Sequence, residues 1–434
     1  MKKKALVVGA GFAGAVVARE LAESGLYDVL VIDARNHIAG NAYDYVNEHG
    51  IRVHKYGPHL WHTNNEVAHN WFSQFTEWLP YKHQVQAQLD GSHVPLPINA
   101  QTIIDVFGKE FSDFAMSSPE YWGMQDEESD LEFCYKPRAF EAFIESKQVK
   151  HEKITNSREH VEASVGKELC ELFFAPYTKK MWGMDLADLP TSVAARIPTK
   201  TNFDPYYFPK DKFQGLPKDG YTVAFEKIFD HDSIEVLTST DRKELMQFSD
   251  LNKCVKFIRG WDGEFDAVFT SEPIDTYYNC DLGELPWRSV KMHHLTVPLP
   301  QVLPTPTVNF THDGPHTRVT EWKQLPGHGE NPHYTTLTFE EPCDYRDNNM
   351  ERYYPVKSSL PVDPHRELYN TYRDRAEADG IHFIGRCGTF QYLDMWMVIA
   401  QTLKTVEKFI ETERNVHRQE FLKEFYDNEG SEIT

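Results

Sequence analysis

The chain has 434 residues, with 45 Lys+Arg against 66 Asp+Glu and a formal net charge of −21. At ~100–200 residues per domain this length makes about two or three domains. A content of 40% hydrophobic and 13% aromatic residues excludes a disordered or fibrous chain. The acidic balance argues against a nucleic-acid partner, which needs a concentrated basic face, but leaves room for a basic pocket around one small phosphorylated ligand.

Met1-Lys2-Lys3-Lys4 followed by Ala5 to Ala10 is basic then apolar, as a signal peptide is. Gly9, Gly11 and Gly14 cut that apolar run, however, and no processing pattern follows. Residues 4–9 (Lys4-Ala5-Leu6-Val7-Val8-Gly9) read as a buried parallel strand. Residues 14–24 place Val16, Val17 and Leu21 at helical spacing with Arg19, Glu20 and Glu23 outward, and Val29 to Ile32 is a second buried strand ending at Asp33. The opening is β–α–β.

Residues 100–190 show broken helical patterns rich in Phe, Glu and Lys, with an acidic stretch at Asp126-Glu127-Glu128-Ser129-Asp130 expected as a solvated loop. Residues 196–220, with Pro198, Pro205, Pro209, Pro217, Gly215 and Gly220, read as a long irregular connection of the kind that forms lids and binding loops. Farther on, Ala267 to Thr270, Thr335 to Phe339 and His382 to Ile384 suggest strands, and a helix is expected from Met395 to about Ile410. The first and last parts of the chain are expected to join in one nucleotide-binding domain. No stretch approaches the ~20 apolar residues of a membrane span. Cys134, Cys170, Cys254, Cys280, Cys343 and Cys387 are scattered without metal-ligand spacing and read as reduced thiols of a cytoplasmic protein, with no metal expected.

Gly9-Ala10-Gly11-Phe12-Ala13-Gly14 is a GxGxxG segment after a strand and at the start of a helix, with Asp33 at the end of the next strand. Gly9 permits the tight turn, Gly11 lets the backbone approach a pyrophosphate, and Gly14 lets helix and strand pack closely. The pyrophosphate then meets the free N–H groups of the helix end, and Asp33 accepts from the ribose hydroxyls. The motif alone does not separate FAD from NAD. The Gly-rich continuation from Ala34 to Ala42 resembles the extended FAD signature of flavin amine-oxidase-like proteins. Near the other end, Phe383-Ile384-Gly385-Arg386 reads as a strand ending in Gly-Arg, ahead of Asp394-Met395 and a helix. A cofactor held by both chain ends favours FAD.

The sequence resembles the UDP-galactopyranose mutase family along nearly its whole length. The matching segments include Arg35 to Tyr43, His54 to Asn64, Tyr177 to Gly183, Arg196-Ile197-Pro198, Gly220-Tyr221-Thr222, Trp287-Arg288-Ser289 and Asn309-Phe310-Thr311. They continue with Thr317-Arg318-Val319, Tyr353 to Val356, Gly385-Arg386 and Tyr392 to Met395. The resemblance implies a UDP-galactopyranose/UDP-galactofuranose isomerase with no net redox change, using reduced FAD whose N5 forms a covalent adduct with the sugar. It implies Gly9, Gly11, Phe12, Gly14, Asp33, Arg35, Asn41, Arg386 and Met395 at the cofactor, and His59 beside the flavin. Arg318 and Arg288 would hold the diphosphate, joined by Lys200 where the family usually has a loop arginine. Tyr177, Tyr207, Tyr354, Tyr392, Trp182, Asn309 and Asp394 would bind substrate. A UDP-linked hexose, a reductant such as NAD(P)H or a reductase, and a homo-oligomer are the implied partners.

Three departures stand out: Lys200, which keeps the charge but loses the bidentate fork; Ala39, where a second Gly is usual; and Leu393, where a second Tyr is common. The segment around 110–160 is also longer than usual. These leave open a mutase for another nucleotide sugar, N-acetylated or 6-deoxy. A flavin amine-oxidase-like oxidoreductase would not explain Arg288 and Arg318 with a tyrosine-rich site, and a non-catalytic nucleotide-sugar binder would not need the FAD fingerprint and His59. The expected fold is α/β: a Rossmann-like FAD-binding domain with an inserted helical domain and an antiparallel sheet domain. Residues 1–90 and 381–434 are assigned to the FAD-binding domain and 91–195 to the helical insertion. Residues 196–380 are assigned to a substrate-binding sheet domain interleaved with the FAD domain, with a mobile loop at about 196–215.

Overall fold

The computed structural model describes residues 2–123, 134–194, 199–245, 254, 255, 261, 263–356, 358 and 363–429. The acidic stretch 126–130 and the Arg196-Ile197-Pro198 segment lie outside the described residues.

The opening folds as expected: strand Lys3–Val8, helix Phe12–Glu23 and strand Tyr27–Ile32. The two strands are parallel neighbours, Ala5 opposite Val29 and Val8 opposite Ile32. Ala5, Leu6, Val7 and Val29 to Ile32 are fully buried, because a parallel sheet is covered on both faces and selects continuous apolar runs. Strands Ile234–Leu237, Ala267–Thr270 and Ile381–Phe383 complete this five-stranded parallel sheet. The chain's first and last parts therefore meet in one sheet, to which the stretch 196–380 adds two strands. The last strand stops at Phe383, and Gly385 and Arg386 open a short helical turn rather than ending the strand. The closing helix runs Met395–Glu429, well beyond the expected end near Ile410, and packs across Phe12–Glu23.

A seven-stranded sheet forms the second layer, in the order Tyr354–Pro355, Trp287–Val297, Thr335–Asp344, Arg318–Glu321, Thr307–Phe310, Val85–Leu89, Ser92–Leu96. Its pairings are antiparallel except Thr307–Phe310 with Val85–Leu89, which is parallel. The limit drawn at residue 90 falls within the hairpin at one edge of this sheet. That edge carries the helical insertion: Ala100–Phe107, Lys109–Met116, Pro137–Lys147, Ser157–Val165 and Ala175–Trp182. Phe111, Phe140 and Phe143 form its core against Val85, Ala87 and Ile98. The long connection is irregular from Lys200 to Lys212, but Phe213–Pro217 is a strand between Trp61–Thr63 and Trp78–Pro80. No described helix is long and apolar enough to cross a membrane.

Candidate active site

Two cavities share a wall where the layers meet. The larger, about 500 Å³, is lined by Gly9, Gly11, Phe12, Asp33, Arg35, Gly40 and other residues of the parallel-sheet layer. The smaller, about 230 Å³, opens on the seven-stranded sheet. Asn41, His59, Arg386 and Met395 line both.

The larger cavity is shaped by backbone. Gly9 sits at φ +103, and a Cβ there would fall 2.1 Å from Ser271 Oγ. A Cβ on Gly14 would fall 1.8 Å from the Gly9 carbonyl oxygen, so this residue sets the helix against the strand and is not on the wall of either cavity. The helix begins at Phe12 with no side chain capping its N–H groups, which leaves a positive, donor-rich end facing the cavity. The Phe12 ring packs into the core against Phe72 and Phe225, while the residue also lines the cavity. Asp33 accepts from the N–H groups of Ala10 and Arg35, both at 2.8 Å. Arg35 donates to Asn41 Oδ1 at 2.9 Å and pairs with Glu351, which sequence reading did not single out. Arg386 donates to the carbonyls of Leu393 (3.0 Å) and Tyr353 (3.1 Å), fixing the strap that leads into the closing helix.

Strand register builds the smaller cavity. Asn309 lies opposite Arg318, Arg318 opposite Glu340, and Glu340 opposite Met292. Residues directly opposite share a face, so these four form one row across four strands, and all line the cavity. Arg318 Nε donates to Glu340 Oε1 at 2.6 Å. Burial opposes the guanidinium charge, but Glu340 together with Tyr177 and Tyr354 outweighs it, and the Arg318 pKa is raised. Tyr177, Tyr207, Tyr354, Tyr392 and Asp394 line the same cavity. Tyr354 stacks on Tyr392 at 5.3 Å and meets Trp182 edge-on at 6.3 Å, which places Trp182 just behind the wall. Burial raises the pKa of Tyr177 and Tyr354, so both hydroxyls stay protonated.

His59 keeps part of its surface on the cavity walls and is otherwise enclosed. Its Nδ1 lies 2.9 Å from the Gly57 carbonyl, which only accepts, so Nδ1 carries the proton and Nε2 is left as an acceptor. Enclosure, with Arg386 and Arg318 nearby, lowers its pKa to about 4, so the ring is neutral at pH 7.

Two expected cations stand elsewhere. Arg288 donates to the carbonyls of Met181 (3.0 Å) and Lys180 (3.3 Å), capping the end of helix Ala175–Trp182, and does not line the cavity. Lys200 turns into its own loop, donating to the carbonyls of Asp204 (3.1 Å) and Tyr206 and pairing with the Asp204 carboxylate. Glu340, His83 and Met292 are wall residues that residue type alone did not flag; their signal lies in the register with Arg318 and in the Tyr207 N–H, which donates to the His83 carbonyl at 2.8 Å.

Comparison with known proteins bears on the family and the fold. The UDP-galactopyranose mutase family profile matches residues 172–392, and an NAD(P)-binding Rossmann-like domain profile matches residues 7–75. A Klebsiella pneumoniae protein named as a probable UDP-galactopyranose mutase is 34% identical over 95% of this chain and 96% of its own. The chain belongs to the UDP-galactopyranose mutase family. The dTDP-fucopyranose mutase of Escherichia coli is 32% identical over 95% of this chain and 99% of its own. The crystal structure of a reduced UDP-galactopyranose mutase shares the fold, with a TM-score of 0.70 at 14% identity, covering 95% of this chain and 94% of that one. Members of the family are isomerases, and the cradle at Gly9 to Gly14 is its flavin-type Rossmann element.

Proposed function

We propose that this mutase-family enzyme interconverts UDP-galactopyranose and UDP-galactofuranose without net redox change, with FAD in the larger cavity and the nucleotide sugar in the smaller. The observation that carries the reading is the row Asn309–Arg318–Glu340, set in a tyrosine-lined cavity that meets the dinucleotide cradle at His59. The cradle fits FAD: Gly9 and Gly11 admit a close pyrophosphate, the uncapped helix end and Asp33 take phosphate and ribose, and Arg35, Asn41, Arg386 and Met395 run toward the second cavity. When bound and reduced, the flavin supplies the electron pair for exchange at the anomeric carbon.

The chain's own residues provide position and charge. Arg318, held charged by Glu340, faces the diphosphate at both ends of the exchange. Tyr177 and Tyr354, kept as phenols by burial, donate hydrogen bonds to it, and Tyr207 and Tyr392 close the wall. Asn309 and Asp394 offer polar groups to the sugar, and Trp182 backs Tyr354. His59, neutral, places an acceptor and no charge at the junction. A reductant such as NAD(P)H or a reductase, a homo-oligomer and a cytoplasmic setting complete the reading, supported by the family alone.

The test is incubation with UDP-galactofuranose with and without dithionite, followed by chromatography of the nucleotide sugars. Pyranose is expected from the reduced enzyme only; equal conversion by oxidised enzyme refutes the mechanism. A second reading, a different nucleotide sugar, is favoured by Lys200 being held within its loop and by Leu393 at a usual tyrosine position. Under the first reading Lys200→Arg keeps or raises turnover of UDP-galactose. A loss of more than about tenfold, with better turnover of a 6-deoxy or N-acetylated nucleotide sugar by the wild type, favours the second.

A further inference from the structure

Behind the turn that carries His59 lies a row of buried imidazoles that the proposed chemistry does not use. His54 ends the strand Arg52–His54, and His328 sits on the loop after Trp322–Gln324. They are 1% and 2% exposed. His328 Nδ1 lies 2.9 Å from the Pro326 carbonyl, which only accepts, so that nitrogen carries the proton and His328 Nε2 is an acceptor. His54 Nε2, 3.0 Å away, is therefore the donor. His54 Nδ1 then has no proton, and it accepts the backbone N–H of His59 at 3.1 Å. Every joint from the Pro326 carbonyl to the His59 amide pairs one donor with one acceptor, and the direction is fixed at both ends by backbone groups.

The surroundings keep this row neutral. Arg52 pairs with Asp44 at 3.2 Å, and its backbone N–H donates to the His328 carbonyl at 3.0 Å. Asp44 also accepts from the N–H groups of Tyr221 and Thr222. Trp322 and Tyr221 pack on His54 at 4.8 and 5.7 Å, and Trp322 Nε1 donates to Thr338 Oγ1. On the cavity side stand His59 itself, with Arg318 and Arg386 acting on it, and Glu340, Asp394 and His83 on the same walls. Burial and the positive neighbours lower the pKa of both histidines, that of His328 to about 4. A proton added to His328 would set its Nε2–H against His54 Nε2–H, and one added to His54 would set its Nδ1–H against the His59 amide.

We propose that His54 and His328 are positioning residues for His59: their one-directional hydrogen-bond row holds the Gly57-Pro58-His59 turn, and with it the unprotonated Nε2 of His59, at the junction of the two cavities. Packing alone does not ask for two histidines here, since an apolar side chain would fill the space, whereas the His59 amide needs a buried acceptor that no apolar residue supplies. The importance of the junction rests on the mutase reading; the tautomers do not.

The test has two arms, both on the purified holoprotein. Long-range ¹H–¹⁵N spectra of protein labelled at histidine nitrogen are expected, at pH 7.5, to show His54 as the Nε2–H tautomer and His328 and His59 as Nδ1–H. A His54 that is Nδ1–H or charged overturns the proposal, and this arm needs no variant to fold and no turnover. In the kinetic arm, His54→Asn keeps an oxygen acceptor near the place of Nδ1, and His54→Phe does not. His54→Phe is expected to lower kcat about 100-fold with KM within about twofold, the scale of a small misplacement at a reacting centre. His54→Asn should recover kcat to within about fivefold of wild type, and His328→Leu should lower it about tenfold. Equal loss in both His54 variants, or loss in neither, overturns the positioning role. Wild-type protein that neither holds flavin nor converts UDP-galactofuranose refutes the mutase reading instead, and leaves the tautomers to the spectra.

Discussion

The two cavities that meet at His59 are built in opposite ways. The cofactor cradle is made of backbone: two glycines that admit no Cβ, a bare helix end, and an aspartate bonded to main-chain N–H groups. The cavity proposed for the substrate is made of side chains: Asn309, Arg318 and Glu340, mounted on strands whose backbone would be the same without them, and tyrosines brought in by a helix, a strand and loops. A change in the cradle therefore disturbs the scaffold and the ligand together. A change on the sheet removes chemistry and leaves the scaffold standing.

The largest effect expected is at Gly14. In Gly14→Val the new side chain would start 1.8 Å from the Gly9 carbonyl oxygen and 3.1 Å from Val7 Cγ1, with backbone on one side and a packed strand on the other. The purified protein should carry no flavin and unfold well below wild type, as read by absorbance and by a thermal melt. Normal flavin content would mean that the helix–strand approach does not set the cradle. On the other side, Arg318→Ala should lower kcat about 10²–10³-fold, the usual scale for removing one preorganised charge donor, while flavin content stays at wild type. Its Tm should also fall, since Glu340, 4% exposed, loses its guanidinium. Loss of flavin from Arg318→Ala would erase the distinction between the two regions.

This contrast also explains what the sequence disclosed. The cradle is local: glycine spacing, a strand before, a helix after and Asp33 in step are all visible in one stretch, and the fold delivers them as read. The row through Arg318 depends on register between strands far apart in the chain, so Glu340 and Met292 carry no mark of their place until Arg318 is paired. Family resemblance brought Asn309, Tyr177, Tyr354 and Tyr392 to attention, and they line one cavity. It could not foresee that Arg288 would cap a helix or that Lys200 would bind its own loop, because carbonyl acceptors belong to the backbone and have no residue type.

The histidines sharpen the comparison through pH. His54, His59, His83 and His328 all lie at or behind the smaller cavity. Enclosure lowers their pKa values, to about 4 for His59 and His328 and about 3 for His83, and well below the usual value for His54. In the unfolded chain they titrate near ~6.5. The unfolded state therefore binds more protons below that pH, and the stability contributed by keeping these rings neutral is complete at pH 7. It declines as pH falls through about 6.5 toward about 4, by up to about 1.4 kcal/mol per pH unit for each ring. Melts of the holoprotein at pH 7.5, 6.5, 5.5 and 4.5 should show a steepening fall in Tm. A flat profile from pH 7 to 5 would mean that these rings are not held neutral.

The smallest effect is expected where the cradle tolerates a side chain. Ala39 sits at φ +69 next to Gly40 at φ +54, and its N–H donates to the Ala10 carbonyl at 2.9 Å. The left-handed conformation costs an L-residue about 1–2 kcal/mol. Replacing it with glycine regains that, but gives up about 0.4–1 kcal/mol through the freer unfolded chain and up to about 0.8 kcal/mol for a methyl that is 1% exposed. These contributions nearly cancel, so Ala39→Gly should shift stability by less than about 1 kcal/mol and leave flavin content unchanged. Gly40→Ala should not be tolerated in the same way, because its Cβ would fall 2.9 Å from Gly11 Cα at the point where the backbone must stay open. If the two neighbours respond alike, in flavin content and in Tm, the cradle is held by something other than the close approach of Gly40 to Gly11.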